Sequence, residues 1–305
     1  MYSRSKNICI AVILLSLVVV ILSCIIQNQV VFAQSVKIQK TKGLTLSPLR
    51  SELEIAPGTS LGGTLTVTNS TDKPMKVDFS AEEFSVIDSQ YDYDFNAQSD
   101  VAKWATFNPS EVNLTAGQSM KVKYTVGVPL SAEPGGYYIS LFASTAVGQA
   151  GDEGNSRQRV ASLLYTTVYS DVLGAATKVG HVLNLSSPWL VTDKGSWGMM
   201  LQNKGTVHFR SNYSINVQDL FGGKVGEYQK TALILPNTVR ALSGELPMPS
   251  IPGIYKIIYN IGLGDIPNIT VVRYMLFLPL WFITIATAAI VATGYWLLRK
   301  INRKH

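Results

Sequence analysis

The sequence predicts a large middle region built only from β-strands, arranged as two tandem β-sandwich domains and followed by one transmembrane α-helix. Three observations support this fold class. Apolar and polar residues alternate with a period of two along the middle of the chain, and no stretch there holds a helical period. A long uncharged apolar run near the C-terminus is followed by basic residues. Alternation places side chains on opposite faces of a strand, whereas about 20 apolar residues in a row are what a helix needs to cross a bilayer.

The N-terminal segment has the features of a signal peptide. Two basic residues precede the apolar run Ile8–Ile26, and the triplet Val31-Phe32-Ala33 stands before Gln34. Signal peptidase accepts small residues at the first and third positions of such a triplet, so residues 1–33 are predicted to be removed after Ala33. The run is also long enough to remain as an uncleaved anchor. Residues 34–42 are polar, and we expect a disordered spacer.

Both cysteines, Cys9 and Cys24, lie in this first apolar run. A lipoprotein cleavage before Cys24 is an alternative, but Ile25 and Ile26 follow where polar residues are usual. Beyond residue 33 the chain contains no cysteine. A disulfide scaffold is therefore excluded, and the domains must be stable through their cores alone.

An internal duplication indicates that the strands form two similar domains. Leu65–Thr71 is a strand running into a turn at Asn69, and Met199–Gly205 repeats it with Asn203 at the same place. Later, Pro134-Gly135-Gly136-Tyr137 corresponds to Pro252-Gly253-Ile254-Tyr255. A Pro-Gly pair followed by a tyrosine is typical of the tyrosine-corner strand of immunoglobulin-like sandwiches. We therefore predict immunoglobulin-like domains over residues 43–177 and 178–272, with the glycine-rich segment 148–155 as a hairpin loop in the first.

The C-terminal apolar run, Tyr274–Leu298, is predicted to be the transmembrane helix. Its 25 residues would measure about 37 Å as a helix. Aromatic rings suit the two membrane interfaces, and the basic tail 299–305 remains in the cytoplasm by the positive-inside rule. The ectodomain is then extracellular, and the protein is a single-pass protein of the cell membrane. The predicted interface anchors are Tyr274, Trp281, Tyr295, Trp296, Arg299 and Lys300.

The charge distribution excludes nucleic acid as a partner. The net charge is +6, but six of the 26 basic residues flank the two apolar runs, so the middle carries 20 basic and 20 acidic residues. A nucleic-acid-binding domain would show a local basic excess. The positive charge therefore serves membrane topology.

The sequence contains no pattern typical of a catalytic or metal centre. The three histidines have neither cysteine nor histidine partners at metal-ligand spacing. Nucleophile-elbow, phosphate-loop and dinucleotide motifs are missing. We expect no enzyme activity, no cofactor, no metal and no small-molecule substrate.

One acidic segment, residues 82–100, stands out because it contains six carboxylates and no basic residue. Tyr91, Asp92, Tyr93 and Asp94 alternate aromatic and acidic side chains within it. A calcium loop, a glycan or partner surface, and an edge strand protected by charge are the alternatives. The spacing does not fit an EF-hand.

Six segments of the first predicted domain carry a family resemblance: Leu44–Arg50, Ile55–Gly58, Val67–Asn69, Phe107–Pro109, Leu114–Gln118 and Pro134–Tyr137. Through them the domain resembles the N-terminal domain of WxL-interacting proteins over most of residues 43–177. The resemblance implies a bacterial envelope protein with two immunoglobulin-like domains and a C-terminal membrane helix. It also implies that the first domain associates with peptidoglycan and the second with a partner or host protein. It implies no catalytic residues.

Three functional hypotheses follow. The first is a non-enzymatic, membrane-anchored surface protein that binds cell-wall polymer, another surface protein, or both. The second is a chaperone-like assembly factor that captures surface proteins by strand addition along the hairpin 137–169, where Leu163 and Tyr165 share one face. The third is a wall-active hydrolase with paired carboxylates, which we disfavour because nothing places two carboxylates in one cleft.

Overall fold

The computed structural model describes residues 43–145, 158–169 and 176–303. The predicted signal peptide, its cleavage site at Val31, Ala33 and Gln34, the spacer 34–42 and the loop 148–155 lie outside the described residues, as do the last two residues of the tail. The described residues form β-strands and one long C-terminal helix. The predicted fold class is confirmed.

The first half of the chain forms ten strands and one short 3-10 helix, Ala102–Trp104. In chain order the strands are β1 (Leu44–Ser47), β2 (Arg50–Ile55), β3 (Ser60–Asn69), β4 (Met75–Val86), β5 (Tyr93–Asn96), β6 (Ala105–Asn108), β7 (Glu111–Leu114), β8 (Ser119–Gly127), β9 (Gly135–Thr145) and β10 (Arg159–Val168). One sheet has the order β1-β3-β8-β6. The other has the order β2-β10-β9-β4-β5, and β7 pairs with the start of β4. All pairs are antiparallel except β2 with β10, which is parallel.

The second half forms eight strands and the helix. The strands are β11 (Gly180–Ser186), β12 (Leu190–Val191), β13 (Ser196–Asn203), β14 (Phe209–Asp219), β15 (Lys224–Ile234), β16 (Val239–Glu245), β17 (Gly253–Leu263) and β18 (Ile266–Phe277), and helix α1 is Leu280–Asn302. One sheet has the order β11-β13-β16, and the other has the order β12-β18-β17-β14-β15. Each half is therefore a two-sheet sandwich.

Each sandwich has its own apolar core, filled by the inward residues of alternating strands. In β8, Val122, Tyr124 and Val126 are buried, whereas Lys123 and Thr125 between them are exposed. Burying side chains of this size stabilises the folded state by roughly 1.5–3 kcal/mol each. The period-two pattern thus sets both the strands and the face that each presents to the core.

The two sandwiches repeat the same polar contacts at the duplicated motifs. The Nδ2 atoms of Asn69 and Asn203 donate to the carbonyl four residues later, at 2.8 and 2.9 Å, and each Oδ1 accepts from the N–H two residues later, at 2.9 and 2.8 Å. The hydroxyls of Tyr137 and Tyr255 donate to the carbonyl four residues earlier, at 2.9 and 2.7 Å. Both asparagines are fully buried, so these bonds satisfy polar groups that water cannot reach.

The C-terminal helix begins later and ends later than the sequence predicted. Tyr274–Phe277 is the end of β18, paired with Gly253–Lys256, because Met275 and Phe277 fill the second core. The second domain therefore extends beyond residue 272, and Tyr274 lies on a strand. Helix α1 has 23 residues, none buried, and is long and apolar enough to cross a membrane.

The other predicted interface anchors lie on helix α1. Trp281 lies in its first turn, and Arg299 and Lys300 belong to its last turn, beyond the predicted end at Leu298. Tyr295 and Trp296 lie in the turn before them, and the Lys300 Nζ lies 5.0 Å from the ring centre of Trp296.

Candidate functional site: the cleft between the sandwiches

The two sandwiches are joined by a shared aromatic cluster, which we call the elbow cluster. Aromatic side chains of the first domain pack there against two leucines of the second domain, Leu233 near the end of β15 and Leu235 directly after it. Phe84 and Tyr165 lie at its centre, with their ring centroids 5.7 Å apart and nearly perpendicular. Such pairs contribute about 0.5–1.5 kcal/mol beyond their burial. Its buried members are Phe84, Tyr91, Tyr138, Tyr165, Leu233 and Leu235.

The turn between β4 and β5 inserts Tyr91 into the second domain. Tyr91 has a φ of 70°, which is costly for an aromatic residue and must be stabilised by its surroundings. Its hydroxyl accepts the Leu235 N–H at 2.8 Å and shares a hydrogen bond with Thr238 Oγ1 at 2.9 Å. Burial raises the pKa of Tyr91, so the hydroxyl stays neutral. The Arg240 guanidinium lies over the ring, 4.3 Å from its centre.

His208 forms the second polar contact between the domains. Its backbone N–H donates to the Tyr138 hydroxyl at 3.1 Å, and its ring packs against Tyr138 and Tyr165. Burial lowers the pKa of His208 and raises the pKa of Tyr138. At neutral pH the contact is therefore between uncharged groups, as an apolar setting requires.

Beside the elbow cluster, a polar cleft of about 350 Å³ opens between the two domains. The Arg210 guanidinium pairs with the Glu52 carboxylate across it, and the Lys178 N–H donates to the Asp265 carboxylate at 3.0 Å. Charged groups and backbone line this cleft, rather than the apolar surface typical of small-molecule pockets. Its lining residues are Glu52, Leu53, Glu54, Thr167, Lys178, His208, Phe209, Arg210, Gly264 and Asp265.

The cleft exposes a free strand edge. The Leu163 N–H bonds to the Leu49 carbonyl and the Tyr169 N–H to the Ile55 carbonyl, with β2 and β10 in parallel register between them. Because backbone groups alternate along a parallel pair, the odd-numbered residues of β2 bond to β10. The N–H and C=O groups of Glu52 and Glu54 therefore face away from β10. Among the described residues no strand pairs with them.

The sequence hypothesis of a free edge on the hairpin 137–169 is wrong for β10. β10 lies between β9 and β2, so both of its edges are paired over residues 163–168, which include Leu163 and Tyr165. Tyr165 is buried in the elbow cluster, and Leu163 is half-buried against it. The open edge belongs to β2, one strand further out. The sequence signal that could have identified it is the pair of glutamates in a six-residue strand, since charge protects exposed edges.

The four residues of the acidic segment proposed as a partner surface are not equivalent. Tyr91 is buried against the chain's own second domain, whereas Asp92 and Asp94 are exposed and Tyr93 is half-buried. Asp94 and Tyr93 belong to β5, a four-residue edge strand.

Most carboxylates of the acidic segment have partners within the protein. Glu82 pairs with Arg159, Glu83 accepts a hydrogen bond from Ser99, and Asp100 pairs with Lys103. Asp88 accepts the Gln90 N–H at 2.9 Å. In the part of the chain that the structure describes, no three His, Cys, Asp or Glu side chains are placed to hold a metal ion.

No family model and no curated protein matches the chain. Solved structures with a similar arrangement include the class 5 fimbriae chaperone CfaA, with a TM-score of 0.40, 11% identity, and coverage of 77% of this chain and 99% of that chain. A second is a chain of the CsuC–CsuE chaperone–tip adhesion subunit pre-assembly complex from the Csu pili of Acinetobacter baumannii. It has a TM-score of 0.40 and 12% identity, and the match covers 77% of this chain and 99% of that chain. A third is a chain of the Salmonella enterica SafA pilin–SafB chaperone complex. It has a TM-score of 0.37 and 15% identity, and the match covers 77% of this chain and 98% of that chain. At these identities the resemblance concerns the fold and assigns no activity to this chain.

Proposed function

We propose that this chain is a non-enzymatic, membrane-anchored surface protein that captures an extended segment of another surface protein by strand addition to β2. The observation that carries the proposal is the unpaired edge of β2 at Glu52 and Glu54, which opens into the cleft between the two domains. This is the assembly-factor hypothesis with a different strand as its binding edge.

Strand addition fits the chemistry of this cleft. A peptide lying beside β2 would bond to the N–H and C=O groups of Glu52 and Glu54, which gives up to four hydrogen bonds. At about 0.5–1.5 kcal/mol each, they would supply roughly 2–6 kcal/mol. Backbone bonds give affinity without requiring one sequence, whereas the charged wall formed by Lys178 and Arg210 would select among side chains.

The elbow cluster supports the proposal because it holds the cleft open before a partner arrives. The Ala241 N–H bonds to the Ser89 carbonyl at 2.8 Å, and the Gly136 N–H bonds to the Thr206 carbonyl at 3.0 Å, so the domains are joined at two separate places. A preformed site avoids much of the ordering cost that a flexible linker would add to binding.

Helix α1 is proposed to anchor the protein in the cell membrane, with the sandwiches outside and the basic C-terminus inside. Its length and lack of buried residues support this role. A partner captured in the cleft would then be held close to the cell surface.

Site-specific crosslinking in cells that express the protein tests the proposal. A photoreactive residue at Lys178, on the wall opposite β2, should give an adduct with a surface protein. The same residue at Lys123, exposed on the outer face of β8, is the control and should give none. A folded, surface-exposed protein without any adduct at position 178 would rule out the cleft as the capture site.

Peptidoglycan binding by the first domain is the second candidate, and the resemblance to WxL-interacting proteins favours it. The resembling segments Val67–Asn69 and Leu114–Gln118 meet through the Asn69 amide, which donates to the Thr115 carbonyl at 3.0 Å. They therefore order the ends of neighbouring strands. Co-sedimentation of the detergent-solubilised chain with isolated wall tests this candidate; recovery equal to an unrelated sandwich protein would reject it.

A further inference from the structure

Several large apolar side chains are exposed at one end of the second domain, and we call them the apolar rim. Phe221 at the tip of the β14–β15 turn is 99% exposed, and Trp189 is 72% exposed. Single exposed apolar residues are normal, but a group of them at one end marks an interaction surface. The rim consists of Trp189, Leu190, Leu220, Phe221, Ile251 and Ile254.

Strand register places the rim at the end of the domain where β18 leaves it. Leu190 and Ile254 both pair with Leu276, and the Trp189 carbonyl accepts the Leu276 N–H at 2.7 Å. Asp219 pairs with Tyr255, which itself pairs with Met275, so the turn that follows Asp219 lies at the level of the last residues of β18. The Ile251 carbonyl accepts the Tyr255 hydroxyl at 2.7 Å.

Only two residues, Leu278 and Pro279, separate β18 from helix α1. Two residues span about 7 Å at most when fully extended. The Leu278 N–H also bonds to the Val191 carbonyl at 2.8 Å, so this link belongs to the second sandwich. The described residues therefore leave no flexible stalk between the rim and the start of the helix.

We propose that the apolar rim inserts into the headgroup–acyl boundary of the same membrane that helix α1 crosses. The proposal rests on the membrane anchoring given under the proposed function. Each headgroup layer is about 5–8 Å thick. Leu276, which Leu190 and Ile254 flank, precedes the helix start at Leu280 by four residues, a distance of at most about 14 Å. A helix that begins to span the bilayer at Leu280 thus brings the rim to the depth that tryptophan and phenylalanine favour.

The charged residues next to the apolar rim are also compatible with a position at the membrane surface. The turn 192–195 carries Asp193 and Lys194, and the Lys194 Nζ lies 3.9 Å from the Glu245 carboxylate. Headgroups and their water solvate such charges, while the apolar rim reaches further inward. The cleft, at the opposite end of β18, would lie at most about 40 Å above the bilayer, since strands rise 3.2–3.4 Å per residue.

Spin-label accessibility of the full chain in nanodiscs tests the proposal. Cys9 and Cys24 are replaced by serine, and single labels are introduced by Phe221→Cys, by Leu130→Cys and by Ile290→Cys. Leu130 is the matched control, an 82% exposed apolar residue of the first domain, and Ile290 reports the middle of helix α1. Labels in lipid collide preferentially with oxygen, and labels in water with a nickel chelate.

We expect the labels at 221 and 290 to favour oxygen and the label at 130 to favour nickel. A label at 221 that behaves like the label at 130, while the label at 290 is in lipid, overturns the rim proposal and leaves the anchor intact. If the label at 290 is itself in water, the anchoring part of the proposed function fails, and the rim proposal fails with it.

Discussion

Proline at position 54 tests strand addition directly, because it removes an outward N–H from the free edge of β2. The ring also occupies the space that a partner's carbonyl would enter. One lost hydrogen bond costs about 0.5–1.5 kcal/mol, and blocking a second one doubles that cost, so the affinity for the partner should fall by about fivefold to 150-fold. Glu54→Ala keeps the N–H and removes the carboxylate, which makes it the matched control.

The same substitution should leave the fold nearly unchanged. The bonds to β10 come from the odd-numbered residues of β2, and edge strands tolerate proline when its nitrogen faces outward. Ser51→Pro removes an inward N–H instead and should lower the free energy of unfolding by about 1–3 kcal/mol.

The assay combines adduct yield at Lys178 with thermal unfolding of each variant. Equal yields from Glu54→Pro and Glu54→Ala would refute strand addition at β2. If Glu54→Pro destabilises the protein as much as Ser51→Pro does, the deduced direction of the backbone groups is wrong.

Three further predictions concern the elbow cluster and the duplicated motif. Burial lowers the pKa of His208 below its ordinary 6.5, so the unfolded chain takes up a proton first as the pH falls. Stability should be full above pH 6.5 and decline below it until the folded pKa is reached, and His208→Gln should lose this component in pH-dependent denaturation. Tyr91→Phe leaves the Leu235 N–H unpaired and should cost about 1–3 kcal/mol in denaturant titration, whereas Tyr274→Phe on the exposed surface should cost less than about 0.5 kcal/mol. Asn203→Ala should destabilise the protein by at least about 2 kcal/mol, because three buried backbone groups lose their partner; a loss under 1 kcal/mol would contradict the buried role of this amide.

The cleft and the apolar rim lie at opposite ends of one strand, β18. β18 has one end beside Asp265 in the cleft and the other beside the start of helix α1. The length of β18 therefore sets the distance between the cleft and the start of helix α1. Such an arrangement suits a protein that must present a bound segment at a fixed height.

The sequence alone determined the strand class, the duplicated motifs and the presence of a long apolar C-terminal segment, because each is a local pattern. Alternation in β8 or a Pro-Gly-Tyr corner involves neighbouring residues, and its physical meaning does not depend on the rest of the chain. The asparagines at 69 and 203 were identifiable for the same reason, since their hydrogen bonds begin with the residues that follow them.

The tertiary structure alone decided which strand edge is free, where the helix begins and which aromatic side chains are exposed. β2 pairs with β10, which lies more than one hundred residues later in the chain. A local sequence pattern cannot predict such a distant contact. Tyr274–Phe277 is apolar enough for either a helix or a buried strand, and its pairing with β17 selects the strand. Tyr91 and Tyr165 resemble surface aromatics in the sequence but are buried, because the partner that covers them is the chain's own second domain.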